Sequence, residues 1–116
     1  MVEGLHSLSI IVSSHDSVAF YEKLGFKNVL RKERNYDTVV IMEGYGIQLQ
    51  IFIDPKHPQR ATNPENLGFR GITLKVRSVD EMRNLFDCGE IKTDWFGNRY
   101  CNTQDPDGLP IQFCEG

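Results

Sequence analysis

Ser17-Val18-Ala19-Phe20-Tyr21-Glu22-Lys23-Leu24-Gly25-Phe26 reads as a short helix with its stop signal attached. Ser14 or Asp16 offers a capping oxygen ahead of it, Phe20 and Leu24 stand one turn apart, and Gly25 supplies the left-handed residue that closes a helix. The pattern predicts a helix of about eight to ten residues. Upstream, residues 5–12 (LHSLSIIV) are aliphatic and β-branched with partial alternation, which predicts a strand opened by His6. Downstream, FKNVLRKERN, YDTVVIMEG and GIQLQIFI each have strand character and are separated by Asn35, Gly44 and Gly46, where turns cost little. The order is strand, helix, three strands.

Residues 54–68 (DPKHPQRATNPENLG) hold three of the five prolines among polar neighbours and show no periodicity, so they read as a surface connection. Beyond them the order starts again. RGITLKV is strand-like; SVDEMRNLFDCG offers Ser78 as a cap, Met82, Leu85 and Phe86 at helical spacing, and Gly89 as a stop. EIKTDWF, RYCNTQD and LPIQFCE follow as three strand candidates, divided by Gly97-Asn98 and by the turn sequence Asp105-Pro106-Asp107-Gly108. Ile11 and Val76 are 65 positions apart, as are Phe20 with Leu85 and Tyr21 with Phe86, while Ile47-Gln48-Leu49 and Ile111-Gln112-Phe113 match at 64. A repeat of this period makes two packed supersecondary units the economical reading.

The totals narrow what such a chain can be. At 116 residues it suits one domain with one core. No apolar run approaches a membrane span, and MVEGLHSLSIIV lacks the basic stretch and small-residue site of a signal peptide, so a cytoplasmic location is expected. A net charge of -3 without long runs of either sign argues against a nucleic-acid partner, as the lack of an apolar span argues against a membrane one. Cys88, Cys101 and Cys114 are odd in number and lack CxxC spacing, which suggests buried free thiols rather than disulfides or a zinc knuckle.

The first decapeptide is similar to the S-x-x-F-Y-x-x-L-G-F signature of the vicinal oxygen chelate superfamily, which contains the glyoxalases, bleomycin-resistance proteins and extradiol dioxygenases. Asp105-Pro106-Asp107-Gly108-Leu109-Pro110-Ile111-Gln112-Phe113 resembles its D-P-D-G-x-x-I-E-L ending. The resemblance implies an α+β fold of two tandem βαβββ modules forming a cup-shaped eight-stranded mixed sheet. It would run over residues 1–116 as a single domain, with module one at about 1–53, the connection at about 54–68 and module two at about 69–116.

In metal-using members the resemblance implies four ligands, at the start of each module's first strand and on each module's last strand, facing a shared cup. The matching positions are His6, Gln48, Gly71 and Gln112. His6 fits outright, whereas the two glutamines stand where a carboxylate is common and Gly71 where a second histidine is usual. Divalent cations prefer imidazole, thiolate or carboxylate, so the set is a reduced one of His6, Gln48 and Gln112, with Gln50 two residues away on the same face. Glyoxalase-type isomerisation needs a carboxylate base, and Gln112 cannot take up a proton; Glu43, Glu115 or His57 would have to substitute.

Trp95 and Tyr100 flank the Gly97-Asn98 turn and offer aromatic surface to a pocket. His15 and His57 lie beside a helix cap and in the connection, where solvation is expected. The expectation is therefore a bleomycin-resistance-like protein that holds a small molecule in the inter-module or dimer-interface cup without a catalytic metal. The alternative is a lyase, isomerase or dioxygenase using zinc, nickel, iron or manganese on the reduced ligand set. Open sheet edges and the habit of the family add the expectation of a homodimer.

Overall fold

A computed structural model describes residues 1–116. The chain forms two compact units, Met1–Gln59 and Arg60–Gly116, dividing within the proline-rich connection.

The first unit contains β1 (Ser7–Val12), α1 (Asp16–Lys23), β2 (Lys27–Glu33), β3 (Thr38–Gly44) and β4 (Ile47–Ile53). Its sheet has the order β1-β4-β3-β2, with β1 parallel to β4 and the other pairs antiparallel. Alternation along the strands sends Val12, Val40, Met42, Leu49 and Ile51 into the core beneath α1. The helix starts after His15, whose side chain makes no cap; Ser14 Oγ instead accepts the Asp16 N–H at 3.2 Å. Tyr21 and Ser17 are fully buried, with Val18 and Leu24 also inside, while Phe20 is half-buried and packs edge-on against Tyr21.

The stop is a Schellman closure. Phe26 N–H bonds Tyr21 O at 3.1 Å, Gly25 N–H bonds Glu22 O at 2.9 Å, and Gly25 has φ +107°. The rings of Tyr21 and Phe26 meet edge to face across the turn. Glycine is required here on two counts, because a Cβ at residue 25 would also run into the Tyr45 phenol.

The second unit repeats the plan with β5 (Ile72–Lys75), α2 (Val79–Leu85), β6 (Lys92–Thr93), β7 (Arg99–Gln104) and β8 (Pro110–Cys114), in the order β5-β8-β7-β6. Val79, Phe86, Cys101, Leu109, Ile111 and Phe113 form its core. The helices correspond as the 65-residue offset requires, since Tyr21 and Phe86 are both buried, but Leu85 is exposed rather than core. Ser78 caps α2 through the Glu81 N–H, and Glu115 Oε2 accepts the Val79 N–H at 2.9 Å. Gly89 does not end this helix; Phe86 does, by turning extended, and the Gly89 N–H goes to Asn102 O.

Two further expectations shorten. β1 begins at Ser7, so His6 lies just ahead of the strand. The strand expected over 90–96 shrinks to β6 because Asp94 Oδ1 accepts both the Phe96 and Asn98 N–H groups at 2.9 Å, curling the chain before Trp95. The Asp105-Pro106-Asp107-Gly108 turn forms as expected: buried Asp105 accepts the Asp107 and Leu109 N–H groups at 2.9 Å each. No helix is long and apolar enough to cross a membrane.

Candidate functional site

Each sheet buries one face under its helix and leaves the other open, and the site candidates sort onto the open faces by register. In the first unit Ser7 lies beside Gln48, Ser9 beside Gln50, and Glu43 opposite Gln48. These residues share a face because directly paired residues project the same way. Gln50 Nε2 donates to Gln48 Oε1 at 2.9 Å and reaches Ser7 Oγ at 3.5 Å, and that hydroxyl lies 3.1 Å from His6 Nδ1. The structure thus joins three candidates, His6, Gln48 and Gln50, through Ser7, which the sequence reading passed over. The same face turns apolar farther along, at Ile11, Val39, Ile41 and Phe52.

At its far end Arg34 clasps Asp37 with two hydrogen bonds of 2.6 Å, and its guanidinium lies over the Tyr36 ring at 4.5 Å and near the Phe52 ring at 5.6 Å. Hydrogen bonding from Arg34 holds the Asp37 carboxyl below its ordinary range, against a smaller opposing effect of desolvation.

In the second unit, Gln112 lies between Thr73 on β5 and Asn102 on β7 and donates to Asn102 Oδ1 at 3.1 Å. Tyr100 shares this face two residues from Asn102 and is half-buried. Trp95 does not join them; it projects from the hairpin tip, 96% exposed. A groove of about 420 Å³ runs over one end of the face, lined by Arg60, Arg70, Gly71, Thr73, Asn102 and Gln104 among others. Arg60 braces its wall by donating to the carbonyls of Phe69 and Arg70, at 3.1 Å each, and Arg70 pairs with Glu65 at 3.4 Å.

The carboxylates and histidine considered as substitute bases separate clearly. Glu115 is engaged by the Val79 N–H and lies 3.4 Å from Arg99, and His57 lies 3.3 Å from Asp54. Of the three, Glu43 is the one paired directly with a candidate site residue, Gln48.

The four-ligand metal set does not fit these residues. Gly71 is not a gap awaiting a side chain: a Cβ there would stand 2.5 Å from the carbonyl oxygen of Pro110 and 3.1 Å from its Cβ. Gln48 Oε1 is already an acceptor for Gln50, and an uncharged amide is a poor ligand for a divalent cation. No three His, Cys, Asp or Glu side chains gather where they could hold an ion.

No family model matches the sequence. Individual proteins do. The chain is 36% identical to YwkD of Bacillus subtilis (strain 168), covering 99% of this chain and 98% of that protein. It is 30% identical to YaeR of Escherichia coli (strain K12), covering 98% and 97%. Among solved structures, a glyoxalase family protein from Enterococcus faecalis superposes with a TM-score of 0.88 at 28% identity, over 97% of this chain and 98% of that one. Two more distant structures share the fold: a bleomycin-binding protein complexed with bleomycin (TM-score 0.65, 17% identity) and a Listeria monocytogenes FosX variant complexed with Mn(II) and a dihydroxypropylphosphonic acid (TM-score 0.76, 13% identity).

A paired βαβββ plan that superposes on these proteins defines a class of α+β folds. The chain belongs to the vicinal oxygen chelate superfamily, the group of glyoxalase, bleomycin-binding and fosfomycin-resistance proteins.

Proposed function

We propose that this protein binds a small molecule on the open sheet faces and does so without a catalytic metal. One observation carries the reading: the ligand positions hold amides that hydrogen-bond to their neighbours, Gln48 to Gln50 and Gln112 to Asn102, and a glycine packed on Pro110. Amides supply donors and acceptors without charge, and Thr73, Asn102 and Tyr100 extend that surface beside Gln112. Such a surface suits a neutral or aromatic ligand bearing carbonyl or hydroxyl groups, and the net charge of -3 tolerates a cationic one. The fold is shared with a protein solved with bleomycin bound, which gives small-molecule binding a precedent. The protein is proposed to act as a cytoplasmic homodimer.

Elemental analysis of purified protein, paired with a thermal-shift screen of neutral, aromatic and cationic small molecules, tests this. The expected result is substoichiometric metal, together with a ligand whose stabilisation is lost in Gln112→Ala. Near-stoichiometric zinc, nickel, iron or manganese would overturn it. His6 favours the second reading, a metal-dependent lyase, isomerase or dioxygenase, and metal-dependent turnover abolished by His6→Ala would establish that reading instead.

A further inference from the structure

The groove over the second unit's open face holds a charge that no carboxylate of the chain balances. Arg34 and Arg60 are the two half-buried arginines of this protein, and the other five are exposed. Arg34 is clasped by Asp37. Arg60 instead donates from Nη2 to two neutral acceptors, the carbonyls of Phe69 and Arg70, and makes no ion pair. Drawing a guanidinium partly out of water without an anionic partner costs free energy that bonds to carbonyls return only in part. Those bonds also fix its orientation, while Nη1 and Nε keep N–H groups for another acceptor.

The rest of the lining adds no net charge. Arg70 is paired with Glu65 at 3.4 Å, and the remaining residues, Thr73, Asn102 and Gln104 among them, are neutral. The groove therefore carries one net positive charge, set locally against -3 for the whole chain. Register places its polar side chains on one face: Thr73 and Asn102 both pair with Gln112, and Gln104 follows Asn102 by two residues.

We propose that this groove binds a small monocarboxylate, with the carboxylate on Arg60 and the ligand's hydroxyl or carbonyl groups on Thr73, Asn102 and Gln104. The inference rests on the small-molecule reading above and gives that molecule's otherwise neutral body one acidic end. A single net charge selects a monoanion, because a phosphate ester near its second ionisation would bring more negative charge than the groove neutralises. The charge-assisted bond to Arg60 supplies the discrimination, being roughly twice as strong as the neutral bonds the amides can offer.

The test is a nuclear magnetic resonance titration of the full chain at neutral pH, following the backbone amides of Gly71, Thr73 and Asn102. The probes are matched pairs, benzoate with benzamide and mandelate with mandelamide, together with phenyl phosphate. Both acids are expected to move these amides and to bind roughly tenfold tighter than their neutral partners, with phenyl phosphate no tighter than benzoate. Arg60→Gln should bring acid and amide to equal affinity, and Arg60→Lys should keep part of the preference. A residue that only braced the groove wall would not move that ratio. The preference in the parent needs no variant, so it decides the assignment even where Arg60→Gln does not fold. Equal affinity of acid and amide in the parent would overturn the carboxylate assignment while leaving small-molecule binding in place. Tighter binding of phenyl phosphate, shifts reproduced by chloride alone, an acid preference that survives in folded Arg60→Gln, or no response to any probe would overturn it as well. Metal content, measured on the same sample, tests the metal-free reading separately.

Discussion

The phenol of Tyr45, at the β3–β4 hairpin, donates a hydrogen bond to the carbonyl of Leu24 at the end of α1. Tyr45 and Gly46 both have positive φ, +57° and +74°, and form the two-residue connection between paired Gly44 and Ile47. This is the turn whose twist suits a hairpin, and it aims the tyrosine back over Phe26, whose ring it meets edge to face at 5.3 Å. The L-G-F stop of the first helix is thus held by a residue some twenty positions away.

Removing the hydroxyl by Tyr45→Phe keeps the ring packing and leaves the Leu24 carbonyl without this donor. We expect a loss of about 1 kcal/mol in urea unfolding. Gly25→Ala should cost more, about 1–3 kcal/mol, because the alanine must hold a left-handed conformation and displace the phenol. Equal costs for the two variants would contradict this account.

Gly71 meets Pro110 too closely for a Cβ, so placing any side chain there requires moving backbone. Gly71→Ala is expected to lower stability by about 1–3 kcal/mol. Gln48→Glu with Gln112→Glu, by contrast, should leave the fold intact by circular dichroism. Titration calorimetry with zinc and manganese should find no tight site in the double variant. Micromolar binding would show that the carboxylates alone were missing.

Asp37 has its pKa lowered by hydrogen bonding from Arg34. A depressed carboxylate pKa contributes stability that is fully present above its ordinary value of 3.8 and is lost as pH falls through the lower native value. The parent should therefore lose melting temperature more steeply than Asp37→Asn as pH drops from neutrality to about 2. Parallel melting curves for the two proteins would exclude a role for this pair.

Asp105 is a buried carboxylate serving two backbone N–H groups of its own turn. Asp105→Ala leaves those donors unmet and should cost at least about 2 kcal/mol by chemical denaturation. Asp107→Ala, whose side chain is less buried, should cost less.

Much of the fold was legible because its signals are local. Gly25, the Asp105 turn and the alternation through Gln48-Leu49-Gln50-Ile51 each act within a few residues, and the 64–65 offset made the second unit readable from the first. Where local signals compete, the reading slipped. Phe20 and Tyr21 both suit a buried face, and only the placement of the helix over the sheet chose Tyr21. Leu85 met the same fate, exposed while its neighbour Phe86 went in.

The sequence by itself determined the order of elements and the repeat, since each depends on residue type and spacing along the chain. Only tertiary structure decided that Ser7 links His6 to Gln50, that Asn102 engages Gln112 and that Pro110 closes on Gly71. Those contacts join residues on different segments, and strand register, which depends on how the whole sheet pairs, sets which of them meet.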